Sequence, residues 1–118
     1  MRFVIAGEPI PKGRPRLGKR GNVYTPERTR DAEQAIAWAF RTQCGPVPVD
    51  ASSRWWVDVE FQCGSRRRRD LDNCVKLVLD ALNRVVWADD DQVARITARK
   101  SMGAPEALTR IELQTLED

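Results

Sequence analysis

The chain has no histidine, which excludes the commonest general base, Ser-His and Cys-His nucleophiles and every histidine-ligated metal site. Any chemistry has to run on carboxylates, lysine and a bound ion. Cysteine is scarce: Cys44, Cys63 and Cys74 stand far apart with no C-x-x-C pair. They read as reduced, buried thiols of a cytosolic protein rather than as a zinc site. No apolar run approaches the roughly 20 residues that span a bilayer, and MRFVIAGEPIPKGR lacks the basic-then-hydrophobic order of a signal peptide. The expectation is a soluble, cytoplasmic protein without membrane partners. Internal repeats and boundary linkers are lacking too, so 118 residues are read as one domain, 1–118, with one core.

What is present is a globular composition with an uneven charge. The chain is 42% hydrophobic and carries four Trp and three Phe, enough to anchor a core. Its net charge is only +3, yet Lys12, Arg14, Arg16, Lys19, Arg20, Arg28 and Arg30 are opposed in their window by Glu27 alone. Arg66, Arg67, Arg68 and Arg69 form a second basic block, while Glu112, Glu117 and Asp118 gather at the C-terminal end. Two such blocks point to a polyanion partner, the alternative being solvated surface charge.

The local patterns predict an α+β domain with a mostly antiparallel or mixed sheet and two main helices, in the order β, basic loop, α, β, α, β, β. RFVIAG reads as a strand, and GEPIPKGRPRLGKRGN as a loop in which glycine and proline leave no room for a regular element. A helix starts at Thr25 as N-cap with Pro26 in its first position, buries Ala32, Ala35, Ile36, Ala39 and Phe40, and stops at Gly45-Pro46. In RWWVDVEFQC, Val57, Val59, Phe61 and Cys63 alternate with polar residues, the period of a half-buried strand. At least one of Trp55 and Trp56 is expected to pack inside. From Asn73, with Asp72 as N-cap, Val75, Val78, Leu79, Leu82, Val85 and Val86 follow an amphipathic helical spacing. QVARITARK and TRIELQTL are the last strands, parted by the turn-like SMGAPEA.

The chemistry concentrates in RRRRDLDNCVK. Asp70 and Asp72, two apart on an extended segment leaving a strand, project to one side. Two neighbouring carboxylates stay ionised together when a cation joins them, and oxygen ligands suit Mg²⁺ or Mn²⁺. Lys76, one helical turn beyond Asp72, either pairs with that carboxylate or stabilises charge on a phosphate. Asp89, Asp90 and Asp91 make a second acidic cluster. The plainer alternatives are a solvated capping turn, a surface ion pair and an acidic loop. Arginines that grip a phosphate backbone beside acids that hold an ion fit phosphodiester hydrolysis, with the ion activating water and supporting the leaving oxygen.

These residues also carry a resemblance. RRRRDLDNCVKLVLDALNRVVWADDDQV is similar to the central signature of the RusA family of Holliday-junction resolvases, with D-L-D-N, the following lysine, L-D-A-L and W-x-D-D-x-Q-V. EPIPKGRPRLGKRGNVYTPERTRDAEQAI resembles the basic N-terminal region of phage and prophage members, through P-K-G-R-P-R, Y-T-P and T-R-x-x-E. The resemblance implies catalytic residues Asp70, Asp72, Asp90 and Lys76, with the three acids as Mg²⁺ ligands and Mn²⁺ as a substitute. Asp89 and Asp91 flank the third acid in a run of three. It also implies a homodimer that nicks two opposed strands of a four-way DNA junction. Lys12, Arg14, Arg16, Lys19, Arg20, Arg66, Arg67, Arg68 and Arg69 are then DNA-backbone contacts. A nuclease for other branched DNA, or a non-catalytic binder of structured nucleic acid, uses the same basic residues.

Overall fold

The β-rich opening run forms β1, Arg2–Ala6, and ends at Gly7, whose φ of 105° suits a residue without a Cβ. The computed structural model describes residues 1–13, 16–19, 21, 23–24 and 26–117. Arg14, Arg20, Thr25 and the side chain of Arg16 lie outside the described residues, so the Thr25 cap does too. The basic loop holds more order than its glycines suggest. Two-residue strands β2, Arg16–Leu17, and β3, Val23–Tyr24, pair antiparallel, and the Gly21 amide donates to the Gly18 carbonyl at 3.0 Å. Here the glycines supply the reversal of a small hairpin rather than prevent one.

Helix α1 is Glu27–Cys44, with Pro26 one position ahead of it at the N-cap. Pro26 has extended backbone and accepts the first amide bonds, from Thr29 and Arg30, through its carbonyl. Ile36, Ala39 and Phe40 are buried, Ala32 is half-buried and Ala35 is exposed, so the inward stripe is narrower than the spacing implied. Strand β4, Arg54–Cys63, alternates strictly: Trp55, Val57, Val59, Phe61 and Cys63 are buried, and the residues between them face out. Trp55 packs against Trp87 at 6.1 Å between ring centroids, while Trp56 lies on the other face under Arg95.

Helix α2 is Leu71–Leu82, starting two residues earlier than the spacing predicts, with Asp70 rather than Asp72 at its N-cap. Leu71 packs against the core, which draws the first turn forward. The helix also ends before Val85 and Val86. The chain turns at Arg84, whose φ of 63° is the one positive value at a non-glycine among the described residues. The turn buries Trp87 completely and gives its indole N–H the Asn83 side-chain oxygen at 3.0 Å. Burying a whole tryptophan with its N–H satisfied outweighs another helical turn.

A 3₁₀ turn, Asp90–Gln92, leads into β5, Val93–Met102, and after a turn at Gly103 the chain closes with β6, Leu108–Leu116. The four long strands form one mixed sheet in the order β1-β6-β4-β5. β1 with β6 and β6 with β4 are antiparallel, whereas β4 and β5 are parallel because α2 carries the chain back across the sheet. Both helices cover one face, and the core lies between them and Phe3, Val57, Val59, Phe61, Ile111 and Leu113. Among the described residues no helix is long and apolar enough to cross a membrane.

Phe40 is completely buried and meets the Phe3 ring edge-on at 5.4 Å. Phe40→Ala is expected to destabilise the fold by about 3 to 5 kcal/mol in urea unfolding. A loss below about 1 kcal/mol would show that this contact does not seat α1 on the sheet.

Candidate active site

The site grows out of the segment that joins β4 to α2. Residues 64–69 carry four arginines with no secondary structure, so something must hold them in place. That is Glu8. Its Oε1 accepts the N–H groups of Gly64 at 2.9 Å and Ser65 at 3.0 Å, and its Oε2 accepts the Arg69 guanidinium at 2.8 Å. A Cβ on residue 64 would come within 2.7 Å of Oε1, so glycine there lets the carboxylate approach this closely. Arg69 also donates to the Ser65 hydroxyl at 2.9 Å, and its side chain is only 5% exposed.

The run of arginines therefore divides. Arg66, Arg67 and Arg68 are exposed, whereas Arg69 turns inward as a structural cation. Among the described residues its Nη1 is buried without a partner. From this anchor the chain enters α2 with Asp70 in extended conformation at the N-cap and Asp72 in the first turn. The two acids are not both extended, yet both line one open groove, together with Lys100 and the apolar Leu71, Val75 and Ala98. The Asp70 side chain makes no capping bond, and among the described residues its nearest cation is the exposed Arg68 at 3.9 Å. One Asp72 oxygen accepts the Asn73 amide at 2.9 Å. Both carboxylates sit at the positive end of the α2 dipole.

A second charged cluster lies further along α2. Lys76 pairs with Asp80 at 3.4 Å, one turn on, and not with Asp72. Asp80 also takes Lys12 at 3.0 Å, and Lys12 reaches Glu33 of α1 as well. Burial alone would lower the Lys12 ammonium, but the bonds to Glu33 and Asp80 outweigh it and hold the group above its ordinary range. Lys12, expected on DNA, thus ties the N-terminal segment to both helices, and its own amide donates to the Asn73 carbonyl at 2.9 Å. Lys19 is exposed.

The three consecutive acids separate by role. Asp89 caps the 3₁₀ turn by accepting the Asp91 amide at 3.1 Å. Asp91 is exposed, and Asp90 is half-buried. Burial and a hydrogen bond shared with Asp89 raise the Asp90 carboxyl above the usual carboxylate range, against the pull of Lys76. Gln92 fixes this turn: its oxygen accepts the Ala88 and Asp89 amides, and its nitrogen donates to the carbonyls of Asp50 and Ser53. Asp90 accordingly sits on the 3₁₀ turn, within electrostatic reach of Lys76 and Asp80 of α2. Among the described residues no three acids or cysteines gather closely enough to share a metal ion. Asp70 and Asp72 remain as a pair, a donor set that fits Mg²⁺, which takes one or two carboxylates and fills its other positions with water and phosphate oxygens. Cys74 is not a candidate for catalysis, since burial pushes its thiol up to about 11.

The sequence model of the endodeoxyribonuclease RusA family matches residues 6–114. The chain belongs to the RusA family. RusA proteins are endodeoxyribonucleases that resolve Holliday junctions, generally with a divalent metal, and this RusA chain is an enzyme of that class acting on branched DNA. It is also 27% identical over 122 residues to the uncharacterized protein YqaN of Bacillus subtilis (strain 168), an alignment covering 85% of this chain and 86% of that protein.

Glu8, Asp80 and Lys100 escaped the reading of the sequence. A signal for Glu8 existed, since it is the only acid before Glu27. Glu8→Ala leaves a buried guanidinium without its carboxylate and frees two amides. The full penalty for breaking a buried pair is discounted here because the Glu8 side chain is 41% exposed. A loss of about 2 kcal/mol is expected in denaturant unfolding, and a change within about 0.5 kcal/mol would mean that the loop holds itself.

Proposed function

We propose that this RusA enzyme resolves four-way DNA junctions with Mg²⁺ as its ion, acting as a homodimer that nicks two opposed strands symmetrically in the bacterial cytoplasm. The observation that carries this reading is the placing of Asp70 and Asp72 in one open groove at the start of α2, beside three exposed arginines. An ion held there supplies positive charge to a phosphate and lowers the cost of activating water. Asp70 and Asp72 are its ligands. Arg66, Arg67 and Arg68 hold the DNA backbone through phosphates, which fixes register without reading bases. Arg69 is left out of that set, because its guanidinium is buried on Glu8.

Lys76 stands one turn from Asp72 and is 57% exposed, with its ammonium 3.4 Å from Asp80 one turn further on. In the proposed reaction it steadies the negative charge that builds on the phosphate. Asp90, expected as a third ligand, is left out of the ion's ligand set because no three acids gather among the described residues, and Asp89 is taken up as a cap. Water's oxygen forms the new bond to phosphorus and gives up a proton to solvent as the bond to the leaving sugar oxygen breaks and that oxygen takes up a proton from solvent. The dimer follows from the substrate: a two-fold junction is cut at two equivalent points when two identical sites face it.

The test is cleavage of a labelled four-way junction beside linear duplex, single strand and a fork, with Mg²⁺, with EDTA, and with Asp70→Asn protein. Paired symmetric nicks confined to the junction are expected, lost with EDTA and reduced at least about a hundredfold in the variant. Equal cutting of all branched forms would make the enzyme a general branched-DNA nuclease, and tight binding without Mg²⁺-dependent cutting would sink the mechanism. If three arginines from each protomer neutralise about six phosphates, junction affinity falls with salt at a log-log slope of about −5. A slope near zero would remove the arginines from the interface.

A further inference from the structure

Lys100 has no assigned role, yet it lines the groove of Asp70 and Asp72. It belongs to β5, the edge strand of the sheet, and pairs in register with Phe61, so its side chain leaves on the face that the helices cover. Lys100 is half-buried, and its ammonium donates to the main-chain carbonyl of Arg69. That carbonyl belongs to the peptide that leads into Asp70. Among the described residues the ammonium has no carboxylate within ion-pair distance, although two acids share its groove.

We infer that Lys100 is a positioning residue for the acid pair: by holding the Arg69 carbonyl it fixes the peptide from which Asp70 and the first turn of α2 depart. Arg69 is then clamped at two points, its guanidinium by Glu8 and Ser65 and its carbonyl by Lys100. With its ammonium engaged by main chain, Lys100 leaves both carboxylates open to another cation. The consequence for ion binding rests on the proposed Asp70–Asp72 site, while the clamp on the peptide does not. A lysine acting only through its charge would have the opposite effect, because a cation beside two carboxylates repels a metal ion.

Two measurements on DNA-free protein decide this. The first is Mn²⁺ titration by calorimetry for the parent, Lys100→Met, Lys100→Arg and Asp70→Asn. Lys100→Met keeps the aliphatic stem and loses the donor, and about tenfold weaker Mn²⁺ binding is expected, the usual scale for losing a partner that orients a metal ligand. Lys100→Arg keeps donors and is expected within about threefold of the parent. The second is hydrogen exchange of the Cys74 amide, which donates to the Asp70 carbonyl at 3.1 Å in the first turn of α2. It should exchange about tenfold faster in Lys100→Met and return towards the parent rate in Lys100→Arg.

Tighter or unchanged Mn²⁺ binding in Lys100→Met would overturn the positioning role. So would a Cys74 amide that exchanges at the parent rate. If the parent binds no Mn²⁺, or Asp70→Asn binds it equally, the ion reading fails instead, and the Cys74 amide alone decides whether Lys100 holds the peptide.

Discussion

One carboxylate holds the site together. Glu8 takes two main-chain amides and the buried Arg69 guanidinium, and so converts a cationic connection between a strand and a helix into a fixed support. Four adjacent arginines repel one another and, left alone, would stay solvated and mobile. With Arg69 drawn in and Gly64 allowing the close approach, the next residue is Asp70, delivered at the start of α2. The N-terminal segment that carries Glu8 continues to Lys12, which fastens it to Asn73, Asp80 and Glu33. One strand of chain thus braces both sides of the acid pair.

Charge is sorted by burial. Arg69 and Lys12 sit among carboxylates and serve the fold, while Arg66, Arg67 and Arg68 stay in solvent, where contacts with phosphate carry little desolvation penalty. The acids divide in the same way. Asp89 is spent on a cap and Asp80 on two lysines, whereas among the described residues Asp70 pairs only with an exposed arginine at 3.9 Å. Asp70 and Asp72 sit at the positive end of a helix, and among the described residues neither has an ion pair closer than that arginine.

Much of this was legible in the sequence. The alternation in β4 and the spacing in α1 and α2 follow directly from which faces touch the core. D-L-D-N and W-x-D-D-x-Q-V pointed to the RusA family, whose sequence model matches most of the chain. What the patterns could not supply were outcomes of competition between distant residues. Leu71 packing advances the start of α2, and burial of Trp87 against Trp55 ends it at Leu82. The Glu8–Arg69 pair joins positions 61 residues apart, and no periodicity encodes that. Nor does spacing reveal that Lys76 prefers Asp80 to Asp72, since both lie four residues away on the helix. The role of Gln92 as a staple between the acidic turn and the entry to β4 likewise depends on tertiary carbonyls.

The claim on which the account turns is that Asp70 and Asp72 together hold a divalent ion. Anomalous diffraction from crystals of the DNA-free protein soaked in Mn²⁺ at neutral pH tests it most directly. The account predicts a peak in the groove at the start of α2, within bonding distance of both carboxylates and lost in Asp70→Asn crystals. A fully soaked crystal with no peak there, or with its ion on Asp89, Asp90 or Asp91 alone, would contradict it.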